Sequence, residues 1–496
     1  MTLAPPEPLG PEPEVPVADE RIDWRFLLAG SDLGRVAVAG PVEPAVRTAL
    51  AAHAAAVGEL DEDTGPVDLV VLVDPDLSVV RRAVGVLADG GTIWIEQLAR
   101  RRRAAVRRTL RAAGLELHPW WHRPSRVATR CFVALDRPIA AATVLRTVAS
   151  RGRRGPVEVR LARWTHVERW ATDVSFLAAP ASTAAPAIAS PNGDPVAALV
   201  TPRFAASRAV VGVTTITGGW YLGQVAKVAR HPSDDPLILR EAELLSRFTP
   251  PARGAPSVPM THRLVTTGGR KVLVEDAAQG SPLDRRAVRR DLDGALAAGV
   301  AWLDRVPVAP SSVVRADGRG EALLHGPLEA IAQQPWADPS ERDGLVARAA
   351  DALAPLLDAR LPSPFEHGDF SHPNLFRQVG GELVAIDWEL ARAQGLPQHD
   401  LTFLIAYLAE SVDRPADPAA LAAAQRRAIG PHGWARPSVT RHLLAQGVDP
   451  DLCPLLALAC WTRYVAGRPV RPGPAGPPHR TETLWRAAID DAEAVR

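Results

Sequence analysis

The sequence predicts two folded regions, an α/β domain with a mostly parallel sheet and, after it, an α+β domain. In residues 21–136, strand-like and helix-like runs alternate, which is typical of a parallel sheet covered by helices. In residues 196–496, short apolar runs come first and longer amphipathic helices follow. The small-residue run AAPASTAAPAIASPNGDP separates the two regions and predicts a linker.

Each element of the first region is predicted from apolar periodicity. The predicted strands lie at 35–40, 67–74, 91–97 and 127–136, and the predicted helices at 44–56, 77–88 and 101–114. Residues 1–20 are rich in proline and acidic side chains, which predicts a disordered tail. Residues 137–195 are predicted to form a helical connector that leads into the linker.

The run DLVVLVDPDLSVVRRAVGVLADGGTIWIE resembles the second half of a class I S-adenosylmethionine methyltransferase domain. That family carries several glycines after its first strand, whereas this chain has only Gly40 there, followed by proline. We therefore expect a degenerate domain, and S-adenosylmethionine is not an expected cofactor. The alternative is an active methyltransferase with an attached regulatory domain, in which Asp74 and Glu96 would be candidates for cofactor contact.

The strings HGDFSHPNLF (367–376) and AIDWE (385–389) bracket two apolar runs separated by Gly380 and Gly381. A two-residue glycine turn predicts a β-hairpin in which Asn374 faces Asp387. Opposed residues have Cβ atoms roughly 5 Å apart. An amide oxygen and a carboxylate at that separation can share Mg²⁺, and Asp369 would lie on the loop leading into the hairpin.

These strings resemble the catalytic loop and metal-binding segment of the aminoglycoside phosphotransferase and choline kinase group, which is related to protein kinases. The resemblance implies that Asp369 is the catalytic base and that Asn374 and Asp387 hold Mg²⁺. It also implies a two-lobed, protein-kinase-like α+β domain over 196–496. The small lobe would span 196–279 and the large lobe 280–496.

A kinase-like site needs a lysine that contacts the phosphates of ATP and a carboxylate that orients it. Of the 57 lysine and arginine residues only Lys227 and Lys271 are lysines, so each is a candidate for a role that arginine does not fill. Lys227 lies in a β-type run, and Glu241 follows in a predicted amphipathic helix. Glu243 competes with Glu241, but the resemblance favours Glu241. Lys271 is predicted to be an ordinary surface residue.

Other parts of the predicted ATP site carry weaker signals. The chain has no glycine-rich loop between the first two small-lobe strands, so Phe204 to Arg208 is the predicted covering loop, with Ser207 contacting phosphate. The resemblance implies that backbone groups near Asp276 and Ala278 bind adenine. Asp400 matches an aspartate of the family at the start of a helix, and an N-cap role is predicted for it.

The resemblance implies an ATP- and Mg²⁺-dependent transfer of phosphate to a hydroxyl group of a small molecule. The late helices would form the acceptor pocket, with candidate lining residues Trp388, Glu389, Tyr407, Trp461 and Tyr464. The identity of the acceptor is left open. A second alternative, motivated by the missing glycines, is a pseudokinase scaffold with little or no activity.

Composition excludes several classes of protein. The net charge of +1 argues against a nucleic-acid partner, and the arginine cluster at 99–108 is predicted to be the solvated face of a helix. Cys131, Cys453 and Cys460 are too scattered for a disulfide framework or a zinc site, which indicates a reducing cytoplasm. No apolar run is long enough to span a membrane. The sequence leaves the oligomeric state open.

Overall fold

A computed structural model describes most of the chain. The described residues are 19–28, 33–61, 63–122, 131–135, 174–180, 196–200, 209–215, 222–247, 257–259, 262–267, 269–336, 338–467 and 480–495. The chain divides into two compact units. The sheet unit spans Pro13–Ala242 and Met260–Ala277, and the helical unit includes Glu243–Pro259 and Ala278–Arg496.

The sheet unit contains a sheet of 12 strands. From one edge to the other, these are β2 (Ala56–Glu59), β1 (Arg35–Ala39), β3 (Val67–Val73), β4 (Leu87–Glu96), β7 (Val174–Pro180), β5 (Leu115–His122), β6 (Cys131–Ala134), β8 (Ala198–Val200), β9 (Ala209–Thr215), β10 (Leu222–Ala229), β12 (Arg270–Asp276) and β11 (His262–Thr267). Strands on both sides of the predicted linker therefore belong to one sheet.

The sheet is mixed, so the prediction of a mostly parallel sheet holds only for its first part. Strands β2, β1, β3 and β4 pair in parallel, whereas the pairs from β4 and β7 onward are antiparallel. The helices α1 (Pro44–His53) and α2 (Leu77–Val86) provide the crossovers that parallel pairing needs. A further helix, α3 (Arg100–Ala112), follows β4, as predicted. Strands β2, β5 and β7 were not predicted, and β7 lies in the region predicted to be a helical connector and linker.

Alternate residues of the central strands bury side chains on opposite faces of the sheet, as a strand period of two requires. Val36 and Val38 belong to one apolar cluster, and Ala37 belongs to another. On the first face, the rings of Trp24 and Trp94 stack with centroids 4.7 Å apart. Both faces are therefore covered, which agrees with the apolar character of β3.

The segment Asp19–Leu27 is attached to the end of β10 by a buried ion pair. The guanidinium of Arg230 donates from Nε to Asp23 Oδ1 at 3.0 Å and from Nη2 to Asp23 Oδ2 at 2.8 Å. Arg25 Nη2 donates to the Arg230 carbonyl at 2.7 Å. The side chains of Asp23 and Arg230 are at most 1% exposed, so two oppositely charged groups are desolvated together.

The helical unit contains most of the helices and two small sheets. The helices are α5 (Arg285–Arg290), α6 (Leu292–Leu303), α7 (Gly326–Gln333), α8 (Pro339–Asp358), α9 (His399–Asp413), α10 (Pro418–Ile429), α11 (Arg436–Ala445), α12 (Cys453–Ala466) and α13 (Arg480–Glu493), and α4 (Asp235–Arg247) precedes them. Strands β13 (Ser281–Pro282), β16 (Leu375–Arg377) and β17 (Leu383–Ala385) form one sheet, and β14 (Val308–Val313) pairs with β15 (Arg360–Pro364). Across the described ranges, no helix is long and apolar enough to cross a membrane.

Candidate active site

Lys227 and Glu241 form a buried ion pair in the sheet unit. Lys227 is on β10, between β9 and β12, and its Nζ lies 2.8 Å from Glu241 Oε1 and 2.9 Å from Glu241 Oε2. The side chains are 8% and 0% exposed. Glu243 is exposed on the other side of the same helix turn, so the predicted choice of Glu241 is confirmed as the partner of this lysine.

The loop before β16 is shaped by a backbone that glycine alone accommodates. Gly368 has a φ of +86°, and a Cβ built on it would lie 2.4 Å from the carbonyl oxygen of Leu390. A larger residue would therefore require both a strained backbone and a displaced neighbour. This glycine directly precedes Asp369, so the conformation at 368 determines where the carboxylate of Asp369 points.

The side chain of Asn374 contacts Asp369 directly. Its Nδ2 donates to Asp369 Oδ2 at 3.1 Å and to the Asp369 carbonyl at 3.0 Å. A short 3-10 helix, His372–Asn374, places the amide there. Because Nδ2 points toward Asp369, the amide oxygen of Asn374 is the atom that could act as a metal ligand.

The hairpin forms, but its predicted register is wrong by one residue. Leu375 faces Ala385 and Arg377 faces Leu383, while the Ile386 N–H donates to the Asn374 carbonyl at 3.0 Å. Asn374 therefore faces Ile386 and not Asp387. The turn holds three residues, 379–381, because Gln378 pairs with Glu382 and Gly381 adopts a φ of +89°. A shift of one residue exchanges the faces of a strand.

Asp387 follows the paired segment in a left-handed backbone conformation, with a φ of 69°. Such a conformation is uncommon outside glycine and is concentrated at functional sites. It redirects the chain after β17, so Asp387 is not held to the alternation of the strand. Asp387 is half-buried, as are Asp369 and Asn374.

Asp387 and Asn374 suit Mg²⁺ better than a metal ion whose ligands all come from protein side chains. In the described ranges, no group of three or more His, Cys, Asp or Glu side chains is arranged to hold a metal ion. Mg²⁺ in phosphoryl-transfer sites takes one or two carboxylates and completes its coordination with phosphate and water oxygens. Asp387 would supply the carboxylate, and the Asn374 amide oxygen would supply a neutral ligand.

His367 links the loop to the segment that carries Asp387. Its Nδ1 accepts the N–H of Asp369 at 3.3 Å, so the ring proton resides on Nε2, which donates to the Ile386 carbonyl at 3.0 Å. The ring packs on Trp388 with centroids 4.6 Å apart. A neutral histidine therefore connects Asp369 to the residue before Asp387.

Asp400 does not cap its helix, which corrects the predicted role. Helix α9 begins after Gln398, and the carboxylate of Asp400 instead accepts the N–H of His367 at 2.7 Å and of Gly368 at 2.9 Å. Burial and the nearby Glu366 carboxylate raise the pKa of Asp400 to about 8. Asp400 thus fixes the two peptide groups that precede Asp369.

Of the residues predicted to line the acceptor pocket, two are fully buried and three are half-buried. Trp388 is 0% and Trp461 is 1% exposed, so both are core residues without a surface for substrate, which corrects their prediction. The indole of Trp388 donates to the Ala385 carbonyl at 3.0 Å. Glu389, Tyr407 and Tyr464 are half-buried and stay candidates for the pocket.

The predicted adenine and phosphate contacts are only partly described. Asp276 ends β12 opposite Gln224, the N–H of Ala277 donates to the Gly223 carbonyl at 3.1 Å, and Ala278 is half-buried. Ser207 and the predicted covering loop, 204–208, lie outside the described residues.

In the α/β region, the residues considered for cofactor contact are already engaged. Asp74 pairs with Arg102 at 3.3 Å, and Glu96 accepts the indole N–H of Trp94 at 2.9 Å. A Cβ on Gly40 would lie 2.2 Å from the Val73 carbonyl, so this glycine serves the packing of β1 against β3. The degenerate methyltransferase domain stays a prediction.

Sequence reasoning missed three buried polar residues beneath the loop: Glu366, His399 and Arg463. Arg463 Nη1 donates to Glu366 Oε2 at 3.0 Å and to His399 Nδ1 at 3.1 Å. Glu366 and Arg463 are 97 residues apart in the chain, and no local pattern marks the pair. The adjacency of Glu366 to the HGD string was the only available signal.

Comparison with known families finds a similarity in part of the chain. The family model described as a phosphotransferase enzyme family, APH, matches residues 213–439. The matched segment carries Lys227, Asp369, Asn374 and Asp387, so the resemblance to aminoglycoside phosphotransferases is confirmed for this part of the chain. No curated protein sequence gives a significant match.

Among solved structures, the chain is similar to several small-molecule kinases. A glucosamine kinase bound to glucosamine, ADP and inorganic phosphate is 17% identical, with a TM-score of 0.35, covering 57% of this chain and 78% of that chain. A choline kinase from Streptococcus pneumoniae is 12% identical, with a TM-score of 0.35 and coverage of 59% and 92%. An aminoglycoside phosphotransferase with ADP and hygromycin B is 15% identical, with a TM-score of 0.36 and coverage of 58% and 90%.

Proposed function

We propose that this protein transfers the γ-phosphoryl group of ATP to a hydroxyl group of a small molecule. The observation that carries the proposal is the contact of Asn374 with Asp369 on a loop whose preceding peptide groups are bound by Asp400. Phosphoryl transfer requires positioning and charge stabilisation more than covalent chemistry by the protein. A carboxylate held in one orientation meets the first requirement.

Each residue has a defined part in the reaction. Asp369 accepts the proton of the acceptor hydroxyl while the new oxygen–phosphorus bond forms and the bond from the γ-phosphorus to the β-phosphate oxygen breaks. The ammonium of Lys227, held by Glu241, binds ATP phosphate oxygens. Asp387 and Asn374 would hold Mg²⁺, which when bound supplies neutralisation of phosphate charge.

The test is an ATP-consumption screen of the purified full chain. The acceptor panel would contain aminoglycosides, amino alcohols, sugars and nucleosides, and ADP release would be followed in the presence of Mg²⁺. Asp369→Asn should lower turnover about 10²- to 10⁴-fold, the range expected when a positioned base is lost. Its affinity for Mg²⁺·ATP, measured by calorimetry, should change little.

Asp387→Ala is the complementary variant, since it should weaken Mg²⁺·ATP binding itself. Near-normal turnover in both variants would refute the assignment. Absence of acceptor-dependent ADP release across the panel would favour the pseudokinase alternative. Saturable heat on titration with S-adenosylmethionine would favour the methyltransferase alternative.

A further inference from the structure

A cluster of buried charged and polar side chains lies under the loop that carries Asp369. Arg463, on α12, bonds both oxygens of Glu366: Nη1 donates to Oε2 at 3.0 Å, and Nη2 donates to Oε1. The two side chains are 8% and 1% exposed. His399, on the first turn of α9, is 5% exposed and completes the cluster.

The contact with Arg463 determines which nitrogen of His399 carries the proton. Arg463 Nη1 lies 3.1 Å from His399 Nδ1, and a guanidinium only donates hydrogen bonds. Nδ1 must therefore be unprotonated, and the ring proton resides on Nε2. Nε2 lies 3.4 Å from the Gly368 carbonyl oxygen and 3.5 Å from Glu366 Oε1, both of which are acceptors.

The Gly368 residue is thereby held on both sides. Its N–H donates to Asp400, and its carbonyl faces the Nε2–H of His399. With the opposite tautomer, a lone pair of Nε2 would face the lone pairs of the carbonyl, and the contact would be repulsive. Because Gly368 precedes Asp369, a change in its peptide orientation moves the carboxylate.

The charges of the cluster also depend on Arg463. Burial would raise the pKa of Glu366, but the charge of Arg463 and its hydrogen bonds lower it to about 2. Burial and the same arginine lower the pKa of His399 to about 3. Next to Arg463, Glu366 is therefore ionised and His399 is neutral. These are the two states that the observed hydrogen bonds require.

We propose that Arg463 is a positioning residue for phosphoryl transfer, which fixes the Nε2–H tautomer of His399 and through it the peptide of Gly368 and the carboxylate of Asp369. The inference rests on the proposed function for its effect on turnover. Arg463 would contact neither substrate nor metal, so its removal should affect the chemical step more than nucleotide binding.

The first test reads the tautomer directly and needs no activity. Nitrogen-15 spectra of histidine-labelled full-length protein would be recorded for the wild type and for Arg463→Met, with the His399 signals assigned by their loss in His399→Gln. We expect unprotonated Nδ1 and protonated Nε2 in the wild type, and a different tautomer or a protonated ring in Arg463→Met. Arg441→Met, an exposed change on α11, should leave the spectrum unchanged.

The second test separates positioning from binding. Arg463→Met should lower kcat about 10- to 100-fold, a loss of the size that a misplaced catalytic group produces, while KM for ATP changes little. Arg463→Lys restores the charge and a donor, so it should recover part of the loss. If Arg463→Met fails to fold, the pair Glu366→Gln with Arg463→Met removes both buried charges and allows the same measurements.

Two results would overturn the proposal: a His399 tautomer that is the same with and without Arg463, or a kcat that falls only in proportion to lost folded protein. If the wild type shows no turnover with any acceptor, the proposed function fails by itself. The nitrogen-15 spectra then still decide whether Arg463 fixes the tautomer of His399.

Discussion

The Asn374 amide donates one hydrogen bond to the carboxylate of Asp369 and another to its carbonyl, at 3.1 and 3.0 Å. One side chain thus holds both the proposed base and the backbone that carries it. The same amide has its oxygen available for Mg²⁺. In the proposed function, Asn374 would therefore both position the base and bind the metal.

Asn374→Ala should lower turnover about 100-fold, because Asp369 loses the contact that orients it. It should also raise the Mg²⁺ concentration needed for half-maximal activity. Steady-state assays across a Mg²⁺ titration would measure both effects. Gln378→Ala, on the same hairpin, is the matched control and should leave both unchanged. Loss of activity without a change in Mg²⁺ dependence would remove Asn374 from the metal site.

Lys227→Met should destabilise the fold as well as weaken ATP binding. Removing one partner of a buried ion pair leaves the other charge unpaired, which typically costs about 3–5 kcal/mol. Glu241 would be the charge left behind in the sheet unit. Denaturant unfolding and ATP calorimetry would measure the two effects. Lys271→Met, at the only other lysine, should change neither by much.

Asp23→Asn should also reduce stability by about 3 kcal/mol or more, because the buried guanidinium of Arg230 would lose its counter-ion. Thermal or denaturant unfolding would measure the loss. Glu43→Gln is the control, since Glu43 forms an exposed ion pair with Arg21 and such pairs contribute about 0–1 kcal/mol. Equal effects of the two substitutions would mean that the pair with Arg230 contributes little.

His399 should make the protein sensitive to acid. Its pKa is lowered to about 3, so it contributes stability that is present above the unfolded-state value, about 6.5, and is lost as the pH falls toward 3. The slope attributable to one such group is up to about 1.4 kcal/mol per pH unit. The charged groups that act on its ring are Arg463, Glu366 and Arg392.

Denaturant unfolding from pH 7 to pH 4 would measure this slope, which His399→Gln should reduce. Asp400 acts in the opposite direction, because its raised pKa makes stability fall as the pH rises toward about 8. The wild type and His399→Gln share the contribution of Asp400, so it cancels when their pH profiles are compared. His325→Gln, at an exposed histidine, should leave the profile unchanged.

Gly381→Ala should cost about 1–2 kcal/mol, because alanine is strained in the left-handed conformation that the turn requires. Gly380 has space for a Cβ and no positive φ, so Gly380→Ala should be nearly neutral. Unfolding measurements on the two variants would test the three-residue turn. Equal sensitivity at both positions would support the two-residue turn and the predicted register.

The pairing of Lys227 with Glu241 could be predicted from the sequence, because lysine is rare in this chain and the family resemblance favoured Glu241 over Glu243. The register of the hairpin could not, since Gly380 and Gly381 suit either a two-residue or a three-residue turn. The aromatic residues Trp388 and Trp461 show why helical spacing alone does not distinguish a pocket from a core. Arg463 was missed because its partners are distant in sequence.

The pairing of β8 with β6 has a consequence for any shortened form of the protein. A polypeptide beginning at residue 196 would keep the lysine, the loop and the hairpin, yet the N–H and C=O groups of β8 would lose the neighbour that satisfies them. Exposed strand edges of this kind recruit other chains. The segment from residue 196 onward, excised on its own, should therefore self-associate or precipitate, and adding back the region before it should prevent this.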